Sequence, residues 1–240
     1  MSKVFWLAIP LSFAALAVAC TTEKVLVQPP SQAQGISVSG TGDASGSPDL
    51  AILDLGVSAE ASSVGEARST AASAMDAVLG KLKDDGVAEK DIQTTQFRIE
   101  PQYEYPDGKQ VLRGFRVTNI VEAKVRDLDR VGEVVDDAAG AGGDIVQVQS
   151  LSFTIEQPDT LRAQARQKAV ADARSRAEDL AHQADVNLGK PLSITESTAV
   201  PPTPVLMKAL PSEAAGQPAT PIEPGELQVS VTVDVIFAIE

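Results

Sequence analysis

The stretch from Leu227 to Ile239 alternates without a break. Leu227, Val229, Val231, Val233, Val235, Phe237 and Ile239 take every odd position, with Gln228, Ser230, Thr232 and Asp234 between them. A helix would scatter these residues around its circumference, whereas a strand puts them all on one face. This apolar face must be covered, and the chain offers a matching cover. From Pro158, placed where a missing N–H costs a helix nothing, the spacing predicts a helix to about Ala184. Leu161, Ala165, Ala169, Ala173, Ala177, Leu180 and Ala184 line one side of it. A ridge of alanines lets a second element approach closely. Aromatic residues are only 4% of the chain, so the core is built from Ala, Val, Leu and Ile.

The remaining elements follow the same two periods. Ile36-Ser37-Val38 reads as a short strand ending at Gly40-Thr41-Gly42, and Leu50 to Glu60 as a second strand. Ser63 and Glu66 have capping-box spacing. A helix follows to about Asp84, with Val64, Ala67, Ala71, Met75, Val78 and Leu82 as its stripe and Gly86 at its end. Ile92 to Tyr105 and Val111 to Val125 are strands around the turn signal Pro106-Asp107-Gly108. Leu128 to Ala139 is helical, with Leu128, Val131, Val134, Val135 and Ala138 inward, and glycines 140, 142 and 143 stop it. Asp144 to Ile155 is a strand, and Leu192-Ser193-Ile194 belongs to another.

The order is β-α-β-β, a linking helix, then β-α-β-β again. Residues 50–125 and 144–239 share one plan, an internal repeat. The fold class is α+β, with two β-α-β-β units joined by a helix and helices packed on an antiparallel sheet. The second hairpin turn is replaced by residues 200–226, a loop with seven of the chain's fifteen prolines. Within it, Val205, Leu206, Met207 and Leu210 form an apolar patch, a candidate interaction surface. The strands 111–125 and 227–239 are longer than a small domain pairs fully, so their edges favour a homo-oligomer, with the loop or a long hairpin reaching a neighbour.

The first residues read as an address. Lys3 precedes an apolar run from Val4 to Val18, too short for a bilayer span and suited to a secretory signal. Small residues then lead to Cys20, the chain's single cysteine. This resembles a bacterial lipoprotein signal, with residues 1–19 removed and Cys20 lipidated, although Ala17 stands where Leu is usual. Thr21 in place of Asp favours the outer membrane over the inner. Residues 20–34 are then a lipidated cysteine and tether, and residues 35–240 the folded domain. Several acyl chains give a stable membrane anchor.

The chain has a formal net charge of −13, one His and one Cys. That charge repels phosphate backbones, which excludes nucleic acid as a partner. A single Cys forms no internal disulfide, and a single His leaves no conventional metal set, so no metal or cofactor is expected. The glycines at 40–46 are followed by a strand rather than a helix, which rules against a phosphate cradle. The acidic clusters lack the spacing of a calcium loop. An enzymatic alternative, an envelope hydrolase using carboxylates, would need two or more of Asp43, Glu100, Glu122 and Asp144 gathered in a pocket. A third alternative is a carrier of a small apolar ligand.

Five segments in order resemble the SIMPL-domain family, which is widespread in bacterial envelopes. They are Ile36 to Gly42, with Pro48 to Ala51 and Gly56-Val57; Gly114 to Asn119; Arg126 to Gly132; Ala165 to Ala181, with Gly189; and Pro221 to Glu226. The resemblance implies a secreted or periplasmic α+β protein linked to envelope or oxidative stress, with no catalytic residues to carry over. The expectation is a non-enzymatic, lipid-anchored envelope protein facing the periplasm. It would contact other proteins through sheet edges, helix faces and the proline-rich loop.

Overall fold

The computed structural model describes residues 35–198, 203–205 and 220–240. Two antiparallel sheets, each covered by helices on one face, account for the described chain. The elements in order are β1 (Ile36–Gly46), β2 (Leu50–Ala61), α1 (Val64–Asp84), β3 (Ile92–Glu104), β4 (Val111–Val125), α2 (Val131–Ala141), β5 (Val146–Thr154), α3 (Asp159–Gln183), β6 (Leu188–Thr198), β7 (Thr203–Val205) and β8 (Glu226–Ile239).

The first sheet has the order β3-β4-β2-β5. Leu53, Leu55 and Val57 of β2 and Val117 and Val121 of β4 face Ala71, Met75, Val78 and Leu82 of α1, with Val131 and Val134 of α2 in the same core. The N-cap half of the capping box forms, with Glu66 N–H donating to Ser63 Oγ at 3.3 Å, while the Glu66 carboxylate accepts from Ser62 Oγ at 3.4 Å. Gly86 takes φ of +89° just beyond the last turn, a conformation that costs glycine nothing. Val64 is the exception to the expected stripe: it opens the first turn of α1 and is exposed.

In the second sheet β8 is central. β1 lies along one side from Ile36↔Phe237 to Gly46↔Leu227. β6 lies along the other, and the short β7 also pairs with β8, from Thr203↔Gln228 to Val205↔Glu226. Helix α3 packs on β1 and β8. Val229, Val231, Val233 and Val235 meet Ala165, Ala169, Ala173 and Ala177 in the second core.

Three details differ from the sequence reading. β1 does not end at Gly40 but runs on to Gly46. A Cβ on Gly40 would lie 2.3 Å from Ala169 O and from Ala173 N, so these glycines admit the helix and do not break the strand. The buried ridge of α3 is Ala165, Ala169, Ala173, Ala177 and Ala181, at strict four-residue spacing, while Leu180 and Ala184 are exposed. A pure i, i+4 row is inclined to the helix axis, so α3 buries one ridge of small side chains rather than an axis-parallel stripe. Finally, the two sheets do not follow the two β-α-β-β stretches of the chain. β5 opens the second stretch in sequence, yet pairs with β2 in the first sheet, and β1 takes the place beside β8. The cause is the tight turn after α2, where Gly143 has φ of +72° and returns the chain to the edge of β2. β4 and β8 nevertheless hold matching places, each central and flanked on both sides.

Candidate interaction surface

Among the described strands, β1, β6, β3 and β5 lie at sheet edges, and the short β7 pairs with β8 alone. An edge strand presents unpaired backbone groups, and a protein either covers them or uses them. The β1 edge is covered by α3 through three side chains four residues apart. Lys168 Nζ donates to Asp43 O at 2.6 Å, Thr41 N–H donates to Asp172 Oδ2 at 2.8 Å, and Arg176 Nη1 donates to Ser39 O at 3.1 Å. Ser39, Thr41 and Asp43 alternate along the strand, as outward-facing groups must. The Thr41 N–H, with help from Arg176, holds the Asp172 carboxyl below the usual carboxylate range.

The β3–β4 hairpin is open. Residues 115–125 of β4 pair with β2, but its first residues, Val111 to Gly114, pair with β3 alone. The hairpin therefore projects beyond the sheet. Its turn is built at Pro106-Asp107-Gly108, with φ of +52° at Asp107 and +75° at Gly108, and Lys109 N–H donates to Pro106 O at 3.0 Å. Tyr103, Tyr105, Val111 and Leu112 are exposed on it, Tyr105 to 64%. Nearer the base, Phe97 is 56% exposed, because α1 packs on β2 and β4 and leaves β3 bare. The hairpin was legible in sequence; its exposed apolar side chains were not, because strand period alone does not say how far the covering helix reaches.

Of the residues singled out in sequence, Cys20, Leu206, Met207 and Leu210 lie outside the described residues. Val205 is the last residue of β7, opposite Glu226. The proline-rich stretch returns at Thr220, whose N–H and Oγ1 both donate to the carboxylate of Asp136 on α2, at 2.9 and 2.6 Å. These bonds hold the Asp136 carboxyl below its ordinary range. Ile222 then packs against the first core.

The carboxylates proposed for hydrolase chemistry separate into groups. Glu100 and Asp144 line one basin of about 600 Å³ on the helix-free face of the first sheet, with Glu60, Arg116, Ser58 and Thr118. Arg116 is already engaged there by Glu60. Glu122 stands on the same strand as Arg116, opposite Asp54 and Gln93, and does not line that basin. Asp43 is in the other sheet, where Ser230 and then Gln228 hydrogen-bond its carboxyl and hold it below the usual range. General-acid work needs a carboxyl raised toward neutrality, so Asp43 is shifted the wrong way. Among the described residues, no group of three His, Cys, Asp or Glu side chains could hold a metal ion, and no helix is long and apolar enough to cross a membrane. His182 is exposed in the last turn of α3.

One polar cluster joins four connections. Arg126, just after β4, donates to both oxygens of the buried Asp91 at 2.6 and 3.2 Å, and to Glu156 at 2.6 and 3.1 Å. Glu156 N–H donates to Asp49 Oδ1 at 2.7 Å. The junctions before β2, before β3, after β4 and after β5 are thus tied to one guanidinium. The Arg126 side chain holds both Asp91 and Glu156 below their ordinary ranges.

A model of the SIMPL family, described as a protein of unknown function (DUF541), matches residues 36–237. The chain belongs to the SIMPL family. Its relatives include the 26 kDa periplasmic immunogenic protein of Brucella melitensis, 34% identical over 213 residues, covering 85% of this chain and 84% of that protein. They also include the uncharacterized protein YggE of Escherichia coli K12, 31% identical over 208 residues, covering 85% and 83%. The SIMPL match opens and closes on Ile36 and Phe237, which face each other across the β1–β8 pair. A SIMPL unit cut short at either end would therefore lose the same ladder.

Proposed function

We propose that this SIMPL protein is a non-enzymatic, lipid-anchored component of the bacterial cell envelope. It faces the periplasm, with the outer membrane favoured over the inner, and acts by protein contact in envelope or oxidative stress. The partner is a second copy or another envelope protein. The observation that carries the contact role is the projecting end of the β3–β4 hairpin with its exposed Tyr103, Tyr105, Val111 and Leu112, and with Phe97 exposed nearer the base. Monomeric proteins scatter exposed apolar residues singly, and several gathered at one projecting turn mark a contact surface. The location is supported by the apolar run that ends at Cys20 and by the relatives whose name includes "periplasmic". The experiment is cross-linking in intact envelopes, with wild type against Tyr105→Asp combined with Leu112→Asp. The double variant should lose the cross-linked species while keeping its fold and its abundance. An identical cross-linking pattern in the two would end the contact reading.

A second reading, a hydrolase using carboxylates, is favoured by one observation: Glu100 and Asp144 share a basin. Full complementation of a deletion strain by Glu100→Gln combined with Asp144→Asn would exclude it.

A further inference from the structure

Among the described strands, every sheet edge but one carries a charge, a proline or a covering side chain that blocks pairing with another chain, the short β7 through Pro204. The β1 edge is sealed by Lys168, Asp172 and Arg176. β3 contains Pro101, the charged residues Arg98, Glu100 and Glu104, and register shifts at Thr94/Gln96 and Gln102/Tyr103. β6 contains Lys190, Pro191 and Glu196 and has irregular pairing on both sides of Pro191. Charge, proline and bulges are the means by which natural edge strands avoid association.

β5 differs from the others. Its nine residues, Val146-Gln147-Val148-Gln149-Ser150-Leu151-Ser152-Phe153-Thr154, include no charge, no proline and no glycine. Its only irregularity is the register shift that leaves Gln149 without a partner on β2. Among the described residues, no side chain hydrogen-bonds to its outward backbone. Residues 147–150 and Ser152 are exposed, and Val148 is 44% exposed although its partner on β2, Leu55, is fully buried.

The pattern of the strand is also a palindrome. Because of the shift at Gln149, Val146, Val148, Leu151 and Phe153 all fall opposite core residues of β2, namely Val57, Leu55, Leu53 and Ala51. They share the helix-side face. Read outward from the Gln149–Ser150 peptide, both directions give polar, apolar, polar, apolar. A two-fold antiparallel pair requires this symmetry, because each residue must meet its like on the same face. An acidic chain must also associate where it does not oppose its own carboxylates, and these eight positions carry none.

We propose that β5 pairs with β5 of a second copy of this chain, in the register Val146↔Phe153, Gln147↔Ser152, Val148↔Leu151 and Gln149↔Ser150. The inference rests on the protein-contact reading above and names its partner and its edge. Two four-stranded sheets become one eight-stranded sheet across a dyad. The exposed Val148 is covered by Leu151 of the second copy, and the outward N–H and C=O groups of β5 gain partners.

Sedimentation velocity on the full chain in mild detergent, across a concentration series, reads the association. Wild type should form dimers. Val148→Lys should raise the dissociation constant by about tenfold or more with circular dichroism and melting unchanged. The register is read separately by oxidative cross-linking in a Cys20→Ser background, where introduced cysteines are the only thiols. Gln147→Cys combined with Ser152→Cys should cross-link two copies, and Gln147→Cys alone, which the register places far from its own copy, should not. An unchanged dimer in Val148→Lys, or absence of the 147–152 cross-link, overturns the proposal. If Phe97→Lys disperses the assembly and Val148→Lys does not, the β5 edge is refuted while the contact reading stands on the hairpin. A wild-type monomer up to ~100 μM also refutes the β5 pairing, and the envelope cross-linking then decides the contact reading independently.

Discussion

Replacing Gly40 with Ala places a methyl group where α3 already stands. The added Cβ would lie 2.3 Å from Ala169 O, 2.3 Å from Ala173 N and 2.6 Å from Ala173 Cβ. Two of these atoms are backbone and the third is fixed to it, so no flexible side chain can swing away. Comfortable contact needs about 3.5 Å, so helix and strand must part by ~1 Å. A gap of that size forfeits up to about half of the contact energy along the interface. The ridge of Ala165, Ala169, Ala173, Ala177 and Ala181 is essentially inaccessible. At ~0.8 kcal/mol per methyl, the five are worth about 4 kcal/mol, and half of that is about 2 kcal/mol. Strain and disturbed valines of β8 bring the expected loss to ~2–3 kcal/mol, within the usual range for overpacking. In a domain of this size the melting midpoint should fall by about 4–12 °C. Urea unfolding followed by circular dichroism measures it, with Gly80→Ala as the opposite control. Gly80 lies inside α1, and a Cβ added there would meet nothing within 4 Å, so alanine should stabilise by up to ~1 kcal/mol through helix propensity. A Gly40→Ala protein within about 0.5 kcal/mol of wild type would refute the close-packing argument.

Further outcomes follow from the polar contacts and the anchor. Asp172, Asp43, Asp91, Asp136 and Glu156 all have carboxyls held below their ordinary values, so each stabilises the fold above the unfolded pKa and loses that contribution as pH falls through the folded one. Wild type should therefore lose stability below ~pH 4, and Asp172→Asn should differ from it more at ~pH 6 than at ~pH 3; equal differences at both values would contradict the assignment. Arg126→Ala strands the buried Asp91 and should destabilise the fold more than Arg116→Ala, whose partner Glu60 is exposed, in the same unfolding assay. Cys20→Ala should abolish incorporation of labelled palmitate and release the protein or leave uncleaved precursor; unchanged labelling and migration would refute lipidation at Cys20.

The α+β class was legible because the two periods are clean. The odd positions of 227–237 and the run Ala67, Ala71, Met75, Val78 and Leu82 each bury the side that the spacing predicts. Pairing was less legible. Nothing local to residues 146–154 says whether β5 joins β2 or β8; that depends on where α2 ends and how sharply Gly143 turns the chain. Glycines 40 and 42 looked like a strand end because backbone freedom and close approach leave the same mark in a sequence. The role of the charged residues of α3 was not legible either. Lys168, Asp172 and Arg176 flank the alanine ridge at helical spacing, each one residue before Ala169, Ala173 or Ala177, a pattern that a solvated helix flank shares. In the fold their side chains reach back over the strand edge to Asp43, Thr41 and Ser39.

This double use of α3 explains why so long a helix has so little apolar bulk. A helix seated on a sheet with leucines would stand farther from the strands, near the usual ~10 Å between packed layers. Alanine facing glycine draws α3 close to β1, since Gly42 likewise leaves only 2.2 Å between a would-be Cβ and Ala165 O. From that short distance an aspartate can accept from a strand amide, and Lys168 and Arg176 can cap two strand carbonyls. Hydrophobic burial per residue is given up, and closure of the edge is gained. β5 has no equivalent. The described helix that packs against it is α2, a helix of 11 residues whose valines Val131, Val134 and Val135 point into the core. A short helix that buries its valines cannot also cap the edge of the strand beside it. The two edges therefore diverge for one reason, the side-chain size on the covering helix, and the sealed edge is the one that follows residues 20–34.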